Sequence, residues 1–368
     1  MNPFKYGQVV LRDNYCHRPA LEKTLRSKLK SGQNVCIEGE RRTGKTSLVT
    51  ETVRGMRGRK LLYADLLEVK TVEDIHKRVL TALVQAEKDV KSVHGLLRGI
   101  ASLRPALSFD PYTGVPTVTV DSSRDYRPDS LEGLIDMLGR ARSGRVVVLD
   151  EFQDILNLKE SRQTLAVMRG RIQFMETVPF VFCGSIRRRM HEIFTDPESP
   201  FFKSALSLEV GSIDRGSFKK FLGDKFRSSG RRVGGEVLDR ILHIARENPG
   251  DTQQMCAALY DVSSRGDTIG EKEIREALLR IFGEEHKGYE SALARISGLQ
   301  LKCLTTVARL GGKGTSSREF ISSVGATQPS SIRKALSRLE DLKLLFRVGR
   351  EYRFTNPFFA QWLVYCNY

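Results

Sequence analysis

The sequence predicts an α/β protein: a parallel sheet with covering helices, then a small helical region, then a basic unit of three helices and a hairpin. Three patterns carry this. Short strand-like runs alternate with helical stretches up to about residue 210, strand signals vanish between about 211 and 285, and helix, helix, helix, hairpin follows from about 289. The domains expected are 1–210, with a hairpin insert at 106–121, then 211–287 and 288–368.

The runs 35–38, 60–64, 146–150, 179–183 and 206–210 are short and β-rich and alternate with helical patterns. That is the signature of a parallel sheet clothed by helices. Leu107 and Phe109, then Asp110-Pro111-Tyr112-Thr113-Gly114, then Val118 and Val120 give two alternating stretches about a turn. They form a hairpin inserted between helical segments at 77–97 and 131–138. Beyond 211, Phe218, Phe221, Leu222 and Phe226, then Leu238, Ile241 and Leu242, then Ile274, Ala277 and Ile281 recur at helical spacing.

Gly39-Glu40-Arg41-Arg42-Thr43-Gly44-Lys45-Thr46 fits G-x-x-x-x-G-K-[ST] and lies between the strand at 35–38 and a helical stretch at 47–56. Glycines let the backbone wrap a phosphate with its N–H groups, and the helix N-terminus adds partial positive charge. Lys45 is expected to reach the β and γ phosphates, and Thr46 to offer its hydroxyl to Mg²⁺. The nucleotide-binding set is Gly39, Arg42, Thr43, Gly44, Lys45, Thr46 and Ser47. The strand at 146–150 ends in Asp150-Glu151. Ligands of open parallel sheets lie at the carboxyl ends of the strands, where Asp150 can hold a Mg²⁺-bound water. Glu151 is then placed to orient and deprotonate the attacking water. Taken alone, the acidic pair also suits an ordinary helix N-terminus.

The C-terminal region has Leu301, Leu304, Val307 and Leu310 on a first helix that stops at Gly311-Gly312, and a second helix near 317–324. A third helix begins at Gln328-Pro329 and keeps Ile332, Leu336 and Leu339 inward, leaving Ser331, Arg333, Lys334 and Arg338 outward. Residues 344–354 read as a hairpin with Gly349 at its tip and Arg347, Arg350 and Arg353 along it. This is the winged form of a helix-turn-helix, and its hydroxyls and cations suit phosphate and groove contacts on double-stranded DNA. Winged helices also bind proteins or pack intramolecularly, and that alternative stays open.

Lys and Arg number 60 against 44 Asp and Glu, a net charge of +16, which favours an anionic partner. Residues 291–368 hold twelve basic and four acidic residues, so half of the excess sits in the last fifth of the chain. At 40% hydrophobic and 28% charged, the composition excludes collagen-like and disordered classes. No run approaches the length that spans a bilayer, and Met1-Asn2-Pro3-Phe4-Lys5 lacks a signal-peptide core, so a cytoplasmic protein without membrane attachment is expected. Six scattered cysteines without metal-ligand spacing predict reduced thiols and no structural zinc.

The order of P-loop, hairpin insert, Asp-Glu strand, Gly184-Ser185 after the next strand, helical lid and basic C-terminal domain resembles the AAA+ ATPases. More narrowly, Asn2-Pro3-Phe4 with Tyr6-Gly7, Gly184-Ser185, and Asn248-Pro249 with Gln253 resemble the archaeal-type ATPase family of signal-transduction (STAND) NTPases, related to the origin-recognition ATPases. The resemblance implies an AAA+ P-loop sheet, a helical lid and a winged helix. It implies that Ser185 is a polar sensor contacting the γ-phosphate or the lytic water, and that Tyr15, Cys16 and Arg18 pack beside the adenine. Many AAA+ proteins place an arginine in the lid, but none stands in 248–254; Pro249 and Gln253 suit the signal-transduction branch instead, and Pro249 joins the nucleotide-binding residues that the resemblance implies. The trans-acting charge that a neighbouring copy supplies in that family falls to Lys203 or Arg187. The expectation is a Mg²⁺-dependent ATPase switch acting on or with DNA, slow until copies assemble or a partner binds. The alternative is a signalling ATPase whose winged helix meets a protein.

Overall fold

The computed structural model describes residues 1–86, 106–109, 116–119, 129–140, 144–185, 187–325 and 328–368, which separate into two compact units. One unit is Val9–Gly211, and the other joins Met1–Gln8 to Ser212–Tyr368.

In chain order the strands of the first unit are β1 (Val35–Glu38), β2 (Lys60–Asp65), β3 (Ala106–Phe109), β4 (Pro116–Thr119), β5 (Arg145–Asp150), β6 (Phe180–Gly184) and β7 (Leu206–Glu209). Five of them form one parallel sheet in the order β2-β5-β6-β1-β7. β3 and β4 pair antiparallel as the inserted hairpin, whose turn lies outside the described residues, as does the expected helical stretch beyond Ala86.

The central strands β5, β6 and β1 are buried on both faces because they offer apolar side chains to both, whereas the edge strand β7 alternates half-buried and exposed residues. On one face, α1 (Pro19–Lys30) and α2 (Lys45–Arg54) bring Leu25, Leu29, Leu48, Val49 and Val53 against Val35, Ile37, Val146, Val148 and Val181. On the other lie α3 (Val72–Ala86), α4 (Asp129–Arg140), α5 (Ser161–Ile172) and α6 (Arg187–Phe194), packed on Leu62, Val147, Leu149, Phe180 and Phe182. Phe152, just past β5, has its ring 4.7 Å from Phe182 and 5.6 Å from Phe201, and Phe182 meets Phe201 edge-on at 84°. These fully buried rings fix the chain where it leaves β5.

The strand order matters for function. β6 lies between β1 and β5, with Glu38 opposite Gly184 and Leu149 opposite Phe182. The P-loop, the Asp150-Glu151 pair and Ser185 therefore emerge side by side at the carboxyl edge of three adjacent strands.

The second unit contains α7 (Arg215–Ser228), α8 (Gly235–Ile244), α9 (Pro249–Val262) and α10 (Glu271–Leu293), with β8 (Arg232–Val233) pairing β9 (Thr268–Ile269). These two strands are two residues long, too short to leave a periodic signal, so the reading of this region as helical missed them. The N-terminal residues dock here: the Phe4 ring lies 4.5 Å from Phe226, and the Asn2 amide donates to the Ala257 carbonyl and to Asp261 at 3.0 Å. α10 runs without interruption across 287/288.

The C-terminal elements are α11 (Gly298–Leu310), α12 (Arg318–Val324), α13 (Pro329–Asp341), β10 (Leu345–Val348), β11 (Glu351–Phe354) and α14 (Pro357–Tyr365). Their ends are capped from the sequence: Ser297 with Gln300, Ser317 and Asn356 accept the first free amides of α11, α12 and α14. β10 and β11 form the wing, turning at Gly349 with φ 58°. Gly312 is required where the chain meets the wing, because a Cβ there would collide with the Tyr352 backbone. Phe354, Phe358, Phe359 and Trp362 are buried and close this core.

Candidate functional site

The loop after β1 is shaped for close approach. A Cβ on Gly39 would strike the Val210 carbonyl, and Gly44 has φ 85°. Arg42 also takes a left-handed conformation, φ 64°. Gly44 is the N-cap of α2 and has no side chain to satisfy that end, so the first-turn amides of the helix have no intrahelical acceptor. They face forward with the positive end of the helix dipole.

Lys45 lies within this frame, only 6% exposed. Its Nζ donates to the Gly39 carbonyl at 2.9 Å and the Glu40 carbonyl at 2.8 Å, which leaves one N–H without an acceptor among the described residues. Among the described residues no carboxylate pairs with it. Burial lowers its pKa, opposed by the charges of Glu151 and Asp150. A buried ammonium with spare donor capacity beside free amides is a receptor for an anion.

Asp150 is 5% exposed. Its Oδ2 accepts the Thr46 hydroxyl at 2.6 Å and the Tyr63 hydroxyl at 2.8 Å, and its Oδ1 accepts the Glu151 N–H at 2.9 Å. Glu151 has left-handed backbone angles, φ 49° and ψ 39°. Such a pose costs a non-glycine residue on the order of 1 kcal/mol or more, and it recurs where geometry serves a site. Its Oε2 accepts the Gln153 amide at 2.5 Å and the Ser185 hydroxyl at 2.7 Å. Gln153 is buried, and a Cβ on Gly184 would come within 2.7 Å of its Oε1, so the glycine before Ser185 makes room for it. Asp65, opposite Asp150 in register, has its carboxyl pushed up by burial and by the neighbouring charges of Asp150 and Glu151. The Thr46 hydroxyl and the Asp150 carboxylate are oxygen donors of the kind that Mg²⁺ takes, and the converging negative charge fits a cation.

The other predicted residues fall in varied places. Ser47 turns its hydroxyl to the Val10 N–H at 3.0 Å. Thr43 closes the loop through its hydroxyl on the Glu40 carbonyl, 2.8 Å. Tyr15 is buried, and burial followed by the Glu22 charge raises its phenol. Arg18 donates to the Thr43 carbonyl at 2.6 Å and to the Gly211 carbonyl at 2.7 Å, tying the P-loop to the strand-end segment behind it. Arg187 opens α6, while Arg189 reaches Asn157 at 2.9 Å and Asp154 at 3.5 Å. Lys203 is exposed with φ 53°, its ammonium 5.1 Å from the Phe202 ring. Pro249 stands in the second unit as the first residue of α9, whose free amides Asn248 caps.

On α13, Arg333, Lys334 and Arg338 are exposed and Ser331 is half-buried, while Ile332, Ala335, Leu336 and Leu339 are buried. Arg350 is exposed at the wing tip. Arg347 donates to the Gly349 carbonyl at 2.8 Å, and Arg353 makes two hydrogen bonds to Glu351 at 3.0 and 2.8 Å. Arg353 thus has an acidic partner within the wing.

A family model described as "Probable winged helix domain" matches residues 287–365. No curated protein is matched by the sequence. Among solved structures, the chain is similar to a Walker-type ATPase of Pyrococcus abyssi, with TM-score 0.68 and 16% identity over 98% of this chain and 99% of that one. It is also similar to the Aeropyrum pernix ORC1 protein in complex with DNA, with TM-score 0.51 and 14% identity over 95% of this chain and 92% of that one. A third likeness is to the Aeropyrum pernix ORC2 protein in ADPNP–ADP complexes, with TM-score 0.52 and 15% identity over 95% and 93% of the chains. The fold class is therefore α/β, the AAA+ P-loop sheet, followed by a C-terminal winged helix. Among the described residues no helix is long and apolar enough to cross a membrane.

Tyr63 and Gln153 escaped the sequence reading because neither lies in a motif. Tyr63 shares the sheet face of Asp150 because it stands two residues before Asp65, but that parity shows only once the register of β2 against β5 is known. Gln153 leaves no such trace. Replacing Arg18 by Met strips two carbonyls of a charged donor, so we expect a loss of about 2 kcal/mol. Faster amide exchange at residues 43–45, read by hydrogen–deuterium exchange, should accompany it.

Proposed function

We propose that this chain is a Mg²⁺-dependent ATPase switch that works on DNA through its winged helix. The observation that carries the reading is the buried Lys45 ammonium, held by two carbonyls and, among the described residues, by no carboxylate, beside the uncapped N-terminus of α2. Such an arrangement is costly unless an anion completes it. Gly39, Arg42, Thr43, Gly44 and Lys45 bind and orient the phosphates through backbone amides and the ammonium. Thr46 and Asp150 are the residues that would hold the cation. When bound, Mg²⁺ would supply charge neutralisation for the phosphates. Glu151 acts as general base through Oε1, the oxygen left without a donor among the described residues, while Gln153 and Ser185 hold Oε2.

The functional parts are 1–210, 211–287 and 288–368, as nucleotide domain, lid and winged helix. The archaeal-type signal-transduction branch is supported by Asn2-Pro3-Phe4, which docks on α7 and α9, and by Pro249 at the head of α9. Lys203 and Arg187 are the candidates for a charge donated between copies in a homo-oligomer, with slow turnover in a lone copy. The chain's field favours DNA, since the exposed cations Arg333, Lys334, Arg338 and Arg350 cluster on α13 and the wing, and the ORC1 protein of similar fold was solved with DNA.

A second reading, in which the winged helix packs within the chain or binds a protein, is favoured by one network. Glu285 on α10 accepts the Gln254 amide of α9 at 2.6 Å, the Tyr289 hydroxyl at 2.7 Å and the Asn356 amide at 2.6 Å, fastening the winged helix to the helices before it.

Glu151→Gln should keep nucleotide binding and lower steady-state hydrolysis by about 10² to 10⁴-fold, as measured by phosphate release. Retained turnover would remove Glu151 from the base role. For DNA, Arg333→Ala with Lys334→Ala should weaken duplex binding across sequences and reduce the salt slope by about 2, read by anisotropy across a salt series. An unchanged slope would favour the protein-partner reading.

A further inference from the structure

Asp150 accepts three hydrogen bonds, and only two come from groups already given a place in the site. Thr46 donates at 2.6 Å to Oδ2, and the Glu151 N–H donates at 2.9 Å to Oδ1. The third is the hydroxyl of Tyr63, 2.8 Å from Oδ2. A carboxylate offers about four lone-pair positions, two on each oxygen. Thr46 and Tyr63 fill both on Oδ2, and one position remains, on Oδ1. The three donors come from α2, from β2 and from the chain just beyond β5, so together they fix the torsion of the carboxylate.

The parallel register places Tyr63 for this task. Tyr63 is opposite Val148 and Asp65 is opposite Asp150, so Tyr63 lies on the Asp150 face of the adjoining strand, one residue pair back from the carboxyl edge. Its ring packs against the core beneath α1 and α2, which holds the phenol in position. A phenol with an ordinary pKa of about 10 donates a proton and does not compete for the cation.

We infer that Tyr63 is a positioning residue for the cation site: by filling Oδ2 of Asp150 it fixes the orientation of the carboxylate that would hold the cation, so the Mg²⁺-dependent part of nucleotide affinity depends on this hydroxyl. The inference rests on the ATP and Mg²⁺ reading above, and deepens it. Outer partners of metal-ligating carboxylates carry about 10 to 100-fold of metal affinity.

The test compares the full-length chain with Tyr63→Phe, which deletes one oxygen and keeps the ring. A fluorescent ATP analogue is titrated in Mg²⁺ and again in EDTA, and Mn²⁺ binding to the nucleotide-loaded protein is followed by electron paramagnetic resonance. The expected result is a drop of about tenfold in the ratio of Mg²⁺ to EDTA affinity, with weaker Mn²⁺ binding, while the EDTA affinity and the ligand-free melting transition hold. An unchanged ratio overturns the inference. So does an equal fall of both affinities, or loss of the cooperative melt, because each marks a merely structural tyrosine. A wild-type chain that binds no nucleotide in either buffer refutes the ATPase reading itself, an outcome distinct from the failure of Tyr63.

Discussion

One buried positive charge governs the Val9–Gly211 unit. Lys45 is held inside the P-loop by carbonyls of the loop it belongs to, and burial alone works against its charge. The loop accepts that cost because its path is set elsewhere: Gly39 passes against Val210, Gly44 turns left-handed, and Arg18 pins the Thr43 carbonyl from outside. The cation and the free amides of α2 are thus presented together, ready for an anion and unable to satisfy themselves.

The acidic half of the site answers this charge across the sheet edge. Asp150 and Glu151 are consecutive, yet they serve different partners, because the left-handed backbone at Glu151 separates their side chains. Asp150 turns toward α2 and β2, and Glu151 turns toward Ser185 and Gln153. Each carboxylate keeps one oxygen saturated and the other less committed. The aromatic cluster under Phe152 supplies the rigidity that such a division requires.

Much of this was legible in the sequence. β1 coincides with the run 35–38, and the other sheet strands lie within one residue of the runs that predicted them; the central ones, buried on both faces, leave the plainest apolar signature. Ser317, Gly325 and Pro329 marked helix ends by capping chemistry alone. Strand order was not legible, because alternating runs do not say which strand lies between which. Tyr63 and Gln153 were hidden for the same reason: their partners are distant in sequence or unmarked by a motif. The Arg353–Glu351 pair was hidden as well: two wing residues two apart look independent in sequence, whereas the strand's period of two sets them on one face.

The most direct measurement is calorimetric titration of ATP in Mg²⁺ into the wild-type chain and into Lys45→Ala. If the buried ammonium is completed by a phosphate, the wild type binds one nucleotide per chain and the variant loses at least about 2 kcal/mol of that affinity, as expected for removal of a charged hydrogen-bond donor. Equal affinity in the two proteins, or no binding to either, would contradict the view that the structure around Lys45 exists to receive a nucleotide.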